Sequence, residues 1–416
     1  MRSPGATRWW ATATVLLGAL SVARLALARR AVAEERELAG TPASFAADEV
    51  DVLVPIRSGD ELLARRLAAS VATLPSARVH LLVDDDDRDG CRVAAAIAAG
   101  GADADDDLAA APAAEPRVAA DVRVEVFGPP APGRNPKVDK LAAAVARIEA
   151  AGGTRAVLVQ LDDDTALPPG GLAGLLRGLD RGGLATAIPV YLEQGTAWSR
   201  LVAGFVNGSA LTTYLPLARL GPPVSVNGMA LAMRARDLAA VGGYDAIAGA
   251  TCDDYALARA FRRAGLGIVQ TAQPVLLATT VAGPGEYARL MRRWLLFAQE
   301  VVRRDASIRL VALAGLPAAL PLAAVVLAGL SPRPRRALAV AGVVVVASQA
   351  GTWWLRRDLW RTTLRAPGAP GDGGPSPRGL AAEVVAALLT PVHLLGTMGS
   401  RTVTWRGRRV RVGVGE

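Results

Sequence analysis

The stretch Ala156-Val157-Leu158-Val159-Gln160-Leu161-Asp162-Asp163-Asp164 is the clearest indicator of fold class, because an apolar strand stops there at a group of carboxylates. A short unbroken apolar run is typical of a strand buried on both faces of a sheet. Carboxylates two residues apart in the following turn can reach one site, and their hard oxygens suit Mg²⁺ or Mn²⁺. A solvated acidic turn is the alternative. The position directly after the strand favours the site, so Asp162 and Asp164 are the predicted metal ligands.

Strand and helix patterns alternate on both sides of this stretch, over residues 50–190. Apolar runs predict strands, and helical spacing predicts helices, at Val50–Val54, Asp60–Thr73, Arg78–Val83, Val122–Phe127, Lys137–Ala150 and Ala156–Leu161. Strands separated by helices imply an α/β fold with a mostly parallel sheet and ligands at the strand ends. Residues 100–120 are acidic, rich in Ala and Pro and lack a period, which predicts a surface loop.

A second acidic group, Asp84-Asp85-Asp86-Asp87, follows the predicted strand Arg78–Val83. Four like charges in a row repel one another unless they are solvated or paired with a cation. We expect Asp86 and Asp87 to lie in solvent. Either Asp84 or Asp85 is expected to accept a hydrogen bond from a nucleotide base or ribose.

A third acidic group, Asp253-Asp254, begins the helical stretch Tyr255–Arg263. Acids are favoured at helix starts as caps, which is one interpretation. The other is a general base that takes a proton from an acceptor hydroxyl. Both interpretations can hold, one for each aspartate.

Two basic stretches of the sequence are candidates for contact with phosphate groups. Arg292-Arg293-Trp294 lies on an amphipathic helix, which predicts either a basic interfacial helix with a Trp anchor or arginine contact with a diphosphate. Lys137 follows Pro136 at a predicted helix start, a position suited to a phosphate.

Composition narrows the classes of function. The chain is 51% hydrophobic and carries a net charge of +9, which fits anionic lipid headgroups or nucleic acid. No helix pairs a dense basic face with aromatics, so we expect no nucleic acid partner. His80 and His393 are the only histidines, which argues against a zinc site or a Ser-His-Asp triad. The two cysteines, Cys91 and Cys252, suit a reducing compartment.

Long apolar runs predict a multi-pass membrane protein. Trp9–Ala28 is long enough to span a bilayer. A cleaved signal peptide ending near Ala31-Val32-Ala33 is the alternative, which Arg24 disfavours because it interrupts the run. The predicted organisation is a transmembrane helix at 9–28, a catalytic domain at 45–304, membrane helices at 307–400 and a basic tail at 401–416. The later apolar runs are Ser307–Leu330, Ala337–Leu355 and Gly379–Thr397.

Three crossings after the domain would place the tail opposite it, yet the arginines of the tail favour the cytoplasm. One segment is therefore expected not to cross, and the proline-containing run Ser307–Leu330 is the first choice.

In this order, the acidic groups and the Arg-Arg-Trp resemble those of ceramide glucosyltransferases and related family 2 and family 21 membrane glycosyltransferases. Four further stretches are similar to elements of that family. These are Gly133-Arg134-Asn135-Pro136-Lys137-Val138-Asp139-Lys140-Leu141, Asn227-Gly228-Met229 with Met233-Arg234, Cys252-Asp253-Asp254-Tyr255 and the tail Thr404-Trp405-Arg406-Gly407-Arg408. The resemblance covers roughly residues 45–300 and the tail.

The resemblance implies a GT-A-type domain on the cytoplasmic side of the plasma membrane, with a mixed, mostly parallel sheet. It implies inverting transfer of a sugar, glucose from UDP-glucose, onto a lipid hydroxyl such as that of ceramide. Asp254 would be the base, and Asp162 and Asp164 would hold Mg²⁺ or Mn²⁺ with the diphosphate. The residues implied to bind the nucleotide-sugar are Asp85, Lys137, Asp162, Arg293 and Trp294.

This sequence departs from the family pattern at three places. Leu290 stands where the family has Gln or Arg, with Arg289 one residue early, and Asp163-Asp164 adds charge to the second acidic site of the family. Ala197–Leu220, where an acceptor would lie, contains no histidine. A hopanoid or diacylglycerol acceptor is therefore an alternative to ceramide. The pattern is also compatible with a polysaccharide synthase, or with a non-catalytic scaffold that binds nucleotide-sugars.

Overall fold

The computed structural model describes residues 4–60, 62–100, 120–192, 195–364, 374–400, 402–405 and 408–413. The predicted surface loop at 100–120 lies outside these residues, apart from its two end positions. Arg406 and Gly407 of the basic tail also lie outside them.

One eight-stranded sheet forms the centre of the protein, in the order β3-β2-β1-β4-β7-β6-β8-β5. The strands are β1 (Val50–Pro55), β2 (Arg78–Asp84), β3 (Asp121–Phe127), β4 (Val157–Leu161), β5 (Thr165–Ala166), β6 (Leu184–Tyr191), β7 (Ala230–Arg234) and β8 (Ile268–Leu277). Pairing is parallel from β3 through β4 and between β6 and β8. Strand β7 pairs antiparallel with both β4 and β6, and β5 pairs antiparallel with β8. The predicted α/β fold with a mixed, mostly parallel sheet is confirmed.

Helices cover both faces of this sheet and extend into a separate bundle. In chain order they are α1 (Pro4–Leu38), α2 (Leu63–Ala72), α3 (Arg88–Ala98), α4 (Pro136–Ala150), α5 (Gly171–Leu179), α6 (Ala197–Asn207), α7 (Ala210–Arg219), α8 (Ala235–Ala240), α9 (Asp253–Arg263), α10 (Pro284–Asp305), α11 (Ile308–Leu310), α12 (Leu316–Gly329), α13 (Pro334–Leu359) and α14 (Pro377–Thr397). A π-helical turn at Val311–Gly315 joins α11 to α12. A hairpin, β9 (Thr402–Trp405) and β10 (Arg408–Arg411), follows α14.

Two apolar cores lie on the two faces of the sheet. One is formed with α2, α5, α6 and α7, and includes Ala28 and Val32 of α1. The other is formed with α4 and α9. Because β1 and β4 are buried along their whole length between these cores, their sequences are nearly unbroken apolar runs.

Five helical stretches in the described part of the chain are long and apolar enough to cross a membrane. They are Trp9–Leu38, Ala197–Arg219, Ile308–Gly329, Pro334–Thr362 and Pro377–Thr397. The stretch Ala197–Arg219 is interrupted between α6 and α7, and over half of its apolar window is buried inside the protein. Its burial is therefore that of a helix pair packed within the sheet domain.

Helices α1 and α13 lie side by side and run in the same direction. A Cβ on Gly18 would lie 3.7 Å from Val344 Cγ1, and one on Gly351 would lie 2.9 Å from Leu25 Cδ2. Helix α12 packs against both. At the domain end of the pair, Arg36 Nη2 lies 2.8 Å from Asp358 Oδ2. The ends of α1 and α13 are therefore on the same side of the bundle.

Helix α14 packs closely on α6. A Cβ on Gly204 would lie 2.7 Å from the backbone carbon of Ala382, and one on Gly208 would lie 3.3 Å from Glu383 Cβ. Small residues four positions apart allow helices to approach closely. This contact connects the sheet domain to the helical bundle.

Candidate active site

The carboxyl ends of β1, β2 and β4 meet at one edge of the sheet, and a cavity of about 1220 Å³ opens there. All the predicted site residues except Asp85 line its polar end. These are Lys137, Asp162, Asp164, Asp254, Arg293 and Trp294, together with Asp163 and Asp253. The fold thus brings residues from distant parts of the chain to one place.

Lys137 links Asp162, at the end of β4, to the Asp253-Asp254 pair. Its Nζ lies 2.6 Å from Asp162 Oδ1 and 3.4 Å from Asp253 Oδ2. The side chain is held at the start of α4, where Asn135 caps the helix and its Oδ1 accepts a hydrogen bond from the Lys137 backbone N–H at 3.0 Å. Burial acts to lower the pKa of Lys137, but the charges of Asp162 and Asp253 outweigh it and the net shift is upward. The lysine therefore stays charged.

Asp164 is a half-buried carboxylate in a region crowded with negative charge. Burial and the neighbouring Asp162 and Asp163 raise its pKa to about 7. Thr279 donates a hydrogen bond to Asp164 Oδ2 at 3.1 Å, and the Arg57 backbone N–H donates to Asp163 Oδ2 at 2.8 Å. A cation at Asp164 would relieve this repulsion.

The donor set fits a divalent metal that shares its ligands with a substrate. Among the described residues, no three His, Cys, Asp or Glu side chains converge on one point. Mg²⁺ is commonly held by one or two carboxylates together with phosphate oxygens. Asp162 and Asp164 supply two such carboxylates.

Asp254 lies in the first turn of α9 and lines the cavity. Burial and Asp253 raise its pKa to about 6. Its Oδ1 accepts hydrogen bonds from the Tyr255 backbone N–H at 2.7 Å and from Cys252 Sγ at 3.4 Å. Cys252, and not an aspartate, occupies the cap position of this helix. A Cβ on Gly228 would lie 3.1 Å from Asp254 Cβ, so glycine leaves the room that this carboxylate needs.

Trp294 and Arg293 enter the cavity from α10. The Trp294 ring stacks on Phe205 with centroids 6.1 Å apart, and meets Tyr191 edge-on at 6.3 Å. Burial lowers the pKa of Arg293, while Tyr191 and Asp164 oppose that shift through their charges. Leu290 stands where the family pattern has Gln or Arg, and it packs against the core formed with α2, α5, α6 and α7. This position therefore has an apolar packing role.

The four aspartates of the run Asp84–Asp87, at and after the end of β2, have different partners and exposure. Asp84 pairs with Lys140 Nζ at 2.7 Å and with Arg57 Nη1 at 3.2 Å. Asp85 is exposed in the turn after β2 and does not line the cavity. Its role in nucleotide binding stays a prediction.

The expectation that Asp87 lies in solvent is wrong. Asp87 is buried and caps α3, where it accepts hydrogen bonds from the backbone N–H groups of Gly90 at 3.0 Å and Ser58 at 2.7 Å. The local charge run does not reveal this, because Ser58 comes from a different loop. Asp86 is exposed and pairs with Arg57 at 2.7 Å.

Beyond the carboxylates, the cavity continues toward the helical bundle as a mainly apolar chamber, whose wall also includes Arg309, Gln349 and Glu383. Its walls there come from α6, α7, α11, α12 and α14, and include Phe205, Leu217, Leu310, Pro317, Ala387 and Leu394. Thr251 also lines the cavity. Sequence patterns do not single out these residues, because each belongs to an ordinary apolar helix or loop.

A search among curated proteins finds no match. Solved structures match this chain at low identity, and three of them are the following. GalNAc-T7 with UDP, GalNAc and Mn²⁺ is 12% identical, with 63% of this chain and 52% of that chain covered and a TM-score of 0.38. This chain thus spans about half the length of that protein.

The second is glucosyl-3-phosphoglycerate synthase from Mycobacterium tuberculosis with Mn²⁺, UDP and phosphoglyceric acid. It is 16% identical, with 69% of this chain and 83% of that chain covered and a TM-score of 0.34. The third is S. aureus TarS with UDP-GlcNAc. It is 11% identical, with 88% of this chain and 97% of that chain covered and a TM-score of 0.34.

The model of glycosyl transferase family 21 matches residues 109–416. That range contains Asp162-Asp163-Asp164, Asp253-Asp254, the Arg-Arg-Trp and the basic tail. Because the match covers far more than half of the chain, the protein belongs to glycosyltransferase family 21, the ceramide glucosyltransferase family.

Proposed function

We propose that this protein is a membrane-bound inverting glycosyltransferase that moves glucose from UDP-glucose onto the hydroxyl of a lipid such as ceramide. One observation carries the proposal: a single cavity of about 1220 Å³ joins the carboxylate group to an apolar chamber between the domain and the bundle. A water-soluble acceptor would have no need of such a chamber. A lipid would fill it and present its polar end to Asp254.

At the donor end, the diphosphate would lie between Asp162, Asp164 and Arg293. Mg²⁺ or Mn²⁺ held by the two aspartates would neutralise the charge that develops on the leaving nucleotide. Arg293 also lines the cavity, and arginine is well suited to bind phosphate oxygens. Asp85, just after the end of β2, would accept a hydrogen bond from the nucleotide.

At the acceptor end, Asp254 would be the general base. With a pKa of about 6 it is ionised at neutral pH, yet it is basic enough to take a proton from a hydroxyl. In an inverting reaction the base and the leaving group lie on opposite sides of the sugar. The sugar would therefore sit between Asp254 and the diphosphate, beside Trp294.

The proposed location is the plasma membrane, with several helices in the bilayer and the catalytic domain in the cytoplasm. The apolar helices support this arrangement, because five helical stretches of the described chain are long and apolar enough to cross a membrane. The apolar side chains Tyr287, Met291 and Leu295 of α10 are buried inside the protein. That helix connects the sheet domain to α11 and α12. A lipid could then enter the chamber laterally without leaving the membrane.

The test is sugar transfer by membranes that contain the full chain. Radiolabelled UDP-glucose, Mn²⁺ and a mixed lipid extract are supplied to the wild type and to Asp164→Ala. Asp121→Ala is the matched control, because Asp121 is an exposed carboxylate that pairs with Arg123 on β3. A labelled lipid made by the wild type and the control, but not by Asp164→Ala, would support the proposal.

Different products would change it in definite ways. Label transferred only from UDP-galactose or UDP-N-acetylglucosamine would replace the donor. Label in a hopanoid or diacylglycerol would replace ceramide, and a long polymer would indicate a polysaccharide synthase. Binding of UDP-sugars without transfer or hydrolysis would indicate a scaffold.

A further inference from the structure

The loop before Asp253-Asp254 is held by two separate parts of the chain. The first is the start of α4, where the Asn135 backbone N–H donates to the Ala248 carbonyl at 2.6 Å and Asn135 Nδ2 donates to the Ala250 carbonyl at 2.8 Å. The same helix start also positions Lys137. The loop is thereby tied to the donor end of the site.

The second is a segment that follows the β9–β10 hairpin. The backbone N–H of Thr251 donates to the Gly413 carbonyl at 3.0 Å, and that of Cys252 donates to the same oxygen at 3.4 Å. Thr251 Oγ1 also donates to this carbonyl at 3.0 Å and accepts a hydrogen bond from the Gly413 N–H at 2.8 Å. Val412 is buried against Leu296 of α10. The segment Val412–Gly413 therefore bridges α10 and the loop.

These contacts reach the proposed base through one residue. Cys252 donates its backbone N–H to Gly413 and its thiol to Asp254 Oδ1. Loops are ordinarily more mobile than the elements they join, and an error of about 1 Å in a reacting group can cost about 10²-fold in rate. A loop that carries a general base gains from being held by both neighbours.

We propose that Thr251, together with Val412–Gly413, positions Asp254 for catalysis, so that this distant segment completes the active site. The proposal rests on the proposed function of Asp254 as the base. Thr251 is a positioning residue, because its hydroxyl exchanges hydrogen bonds with the Gly413 backbone and it acts on Asp254 through the loop. The rival explanation is that the segment merely adds stability to the fold.

The first experiment measures the contact itself and does not depend on enzyme activity. Cys91→Ser leaves Cys252 as the only thiol, and the rate of its modification by N-ethylmaleimide is measured in the full chain. Cys252 is buried, so labelling is expected to be slow. Thr251→Val, or a stop codon after Arg411, should speed it by about tenfold or more through local opening. Thr251→Ser keeps the hydroxyl and should label as slowly as the parent. An unchanged rate in the truncated protein would overturn the proposal.

The second experiment separates positioning from stability by steady-state kinetics. Thr251→Val should lower kcat by about 10- to 100-fold, with little change in KM for the UDP-sugar, because the donor end stays intact. Thr251→Ser should restore most of the rate. An unchanged kcat in Thr251→Val would overturn the proposal, as would an equal loss in both variants. A wild type that transfers no sugar would overturn the proposed function instead, while the labelling rates would still decide whether the segment holds the loop.

Discussion

The carboxylates around the cavity differ in what faces each of them. Asp162 faces Lys137 and Asp84 faces Lys140, so both are paired with a cation. Asp164 and Asp254 are half-buried with acids nearby, and their pKa values are raised to about 7 and about 6. A raised pKa at a cavity wall is typical of groups that bind a metal or transfer a proton.

Asp164→Asn should stabilise the protein more at high pH than at low pH when no divalent metal is present. The pKa of Asp164 is about 7 in the folded protein, against an ordinary value of 3.8. Between these values the folded state holds a proton that the unfolded state has lost, so wild-type stability falls as pH rises. The difference in Tm between the variant and the wild type should grow from about pH 4.5 to about pH 8. Asp121→Asn, an exposed control, should show no such growth.

A divalent metal should reverse the loss of stability that ionisation of Asp164 causes. Mn²⁺ with UDP should raise the Tm of the wild type at about pH 8, because a ligand that binds only the folded state stabilises it. The same addition should raise the Tm of Asp164→Asn much less. Equal shifts in both proteins would show that Asp164 does not hold the metal.

Asp254→Asn should lower kcat by about 10²- to 10⁴-fold and leave binding of the UDP-sugar intact, because only the proton acceptor is lost. The wild-type rate should rise as pH increases through about 6, where Asp254 ionises. The measurements are a pH profile of kcat and calorimetric binding of UDP. Normal transfer by the variant would show that Asp254 is not the base.

At the scale of elements, the crossing of α6 and α14 joins the domain to the bundle. Arg356 of α13 is almost fully buried there, with Nη2 2.5 Å from Glu383 Oε1 and Nη1 3.1 Å from the Asn207 carbonyl. Gly204 lies against the backbone of α14. The close approach of the two helices therefore depends on the absence of a side chain at Gly204.

Gly204→Ala should lower the free energy of unfolding by about 1–3 kcal/mol, because its Cβ would lie 2.7 Å from the Ala382 backbone, which has no flexible end to move. Gly342→Ala in α13 is the control, since nothing lies within 4 Å of its Cβ. The control should be neutral or stabilising by up to about 1 kcal/mol, through helix propensity. Thermal unfolding in detergent measures both. Equal stability of the two variants would contradict the packing argument.

At the scale of the whole molecule, the contacts determine on which side each end of α14 lies. Helix α14 begins beside the domain end of α13, where Glu383 meets Arg356. It ends beside α10, where Gln299 Nε2 lies 2.6 Å from Thr397 Oγ1 and Arg292 Nη1 lies 3.2 Å from the Gly396 carbonyl. Both ends are on the side of the catalytic domain. These contacts favour α14, in place of residues 307–330, as the apolar segment that does not cross.

A reporter fused after Glu416 should therefore read out the cytoplasm, and one inserted after Ser331, between α12 and α13, should read out the opposite side. This also agrees with the preference of the arginine-rich tail for the cytoplasm. The measurement uses paired reporters that are active on one side only. Reporters on the same side would contradict the proposed topology, and a Glu416 reporter on the outer side would contradict the contact between Gly413 and Thr251.

The first four strands, the acidic groups after β2 and β4, the long apolar runs and the family can be predicted from the amino-acid sequence, whereas β5, β6 and β8 give no such local signal. Strands β1 and β4 are buried on both faces, so their burial is visible as local apolar runs, and Asp162 follows where β4 ends. The helix at residues 137–150 is equally visible, because its cap and proline lie within its own first turn.

The packing of the whole chain, in contrast, sets which of these pieces meet. The burial of Asp87, the stacking of Trp294 on Phe205 and the bond between Thr251 and Gly413 join residues from separate elements, the last pair 162 positions apart. No local pattern encodes such contacts, since they depend on how the sheet, the bundle and the tail pack together. Periodicity records whether a side chain is buried, whereas its partner is set by the fold as a whole.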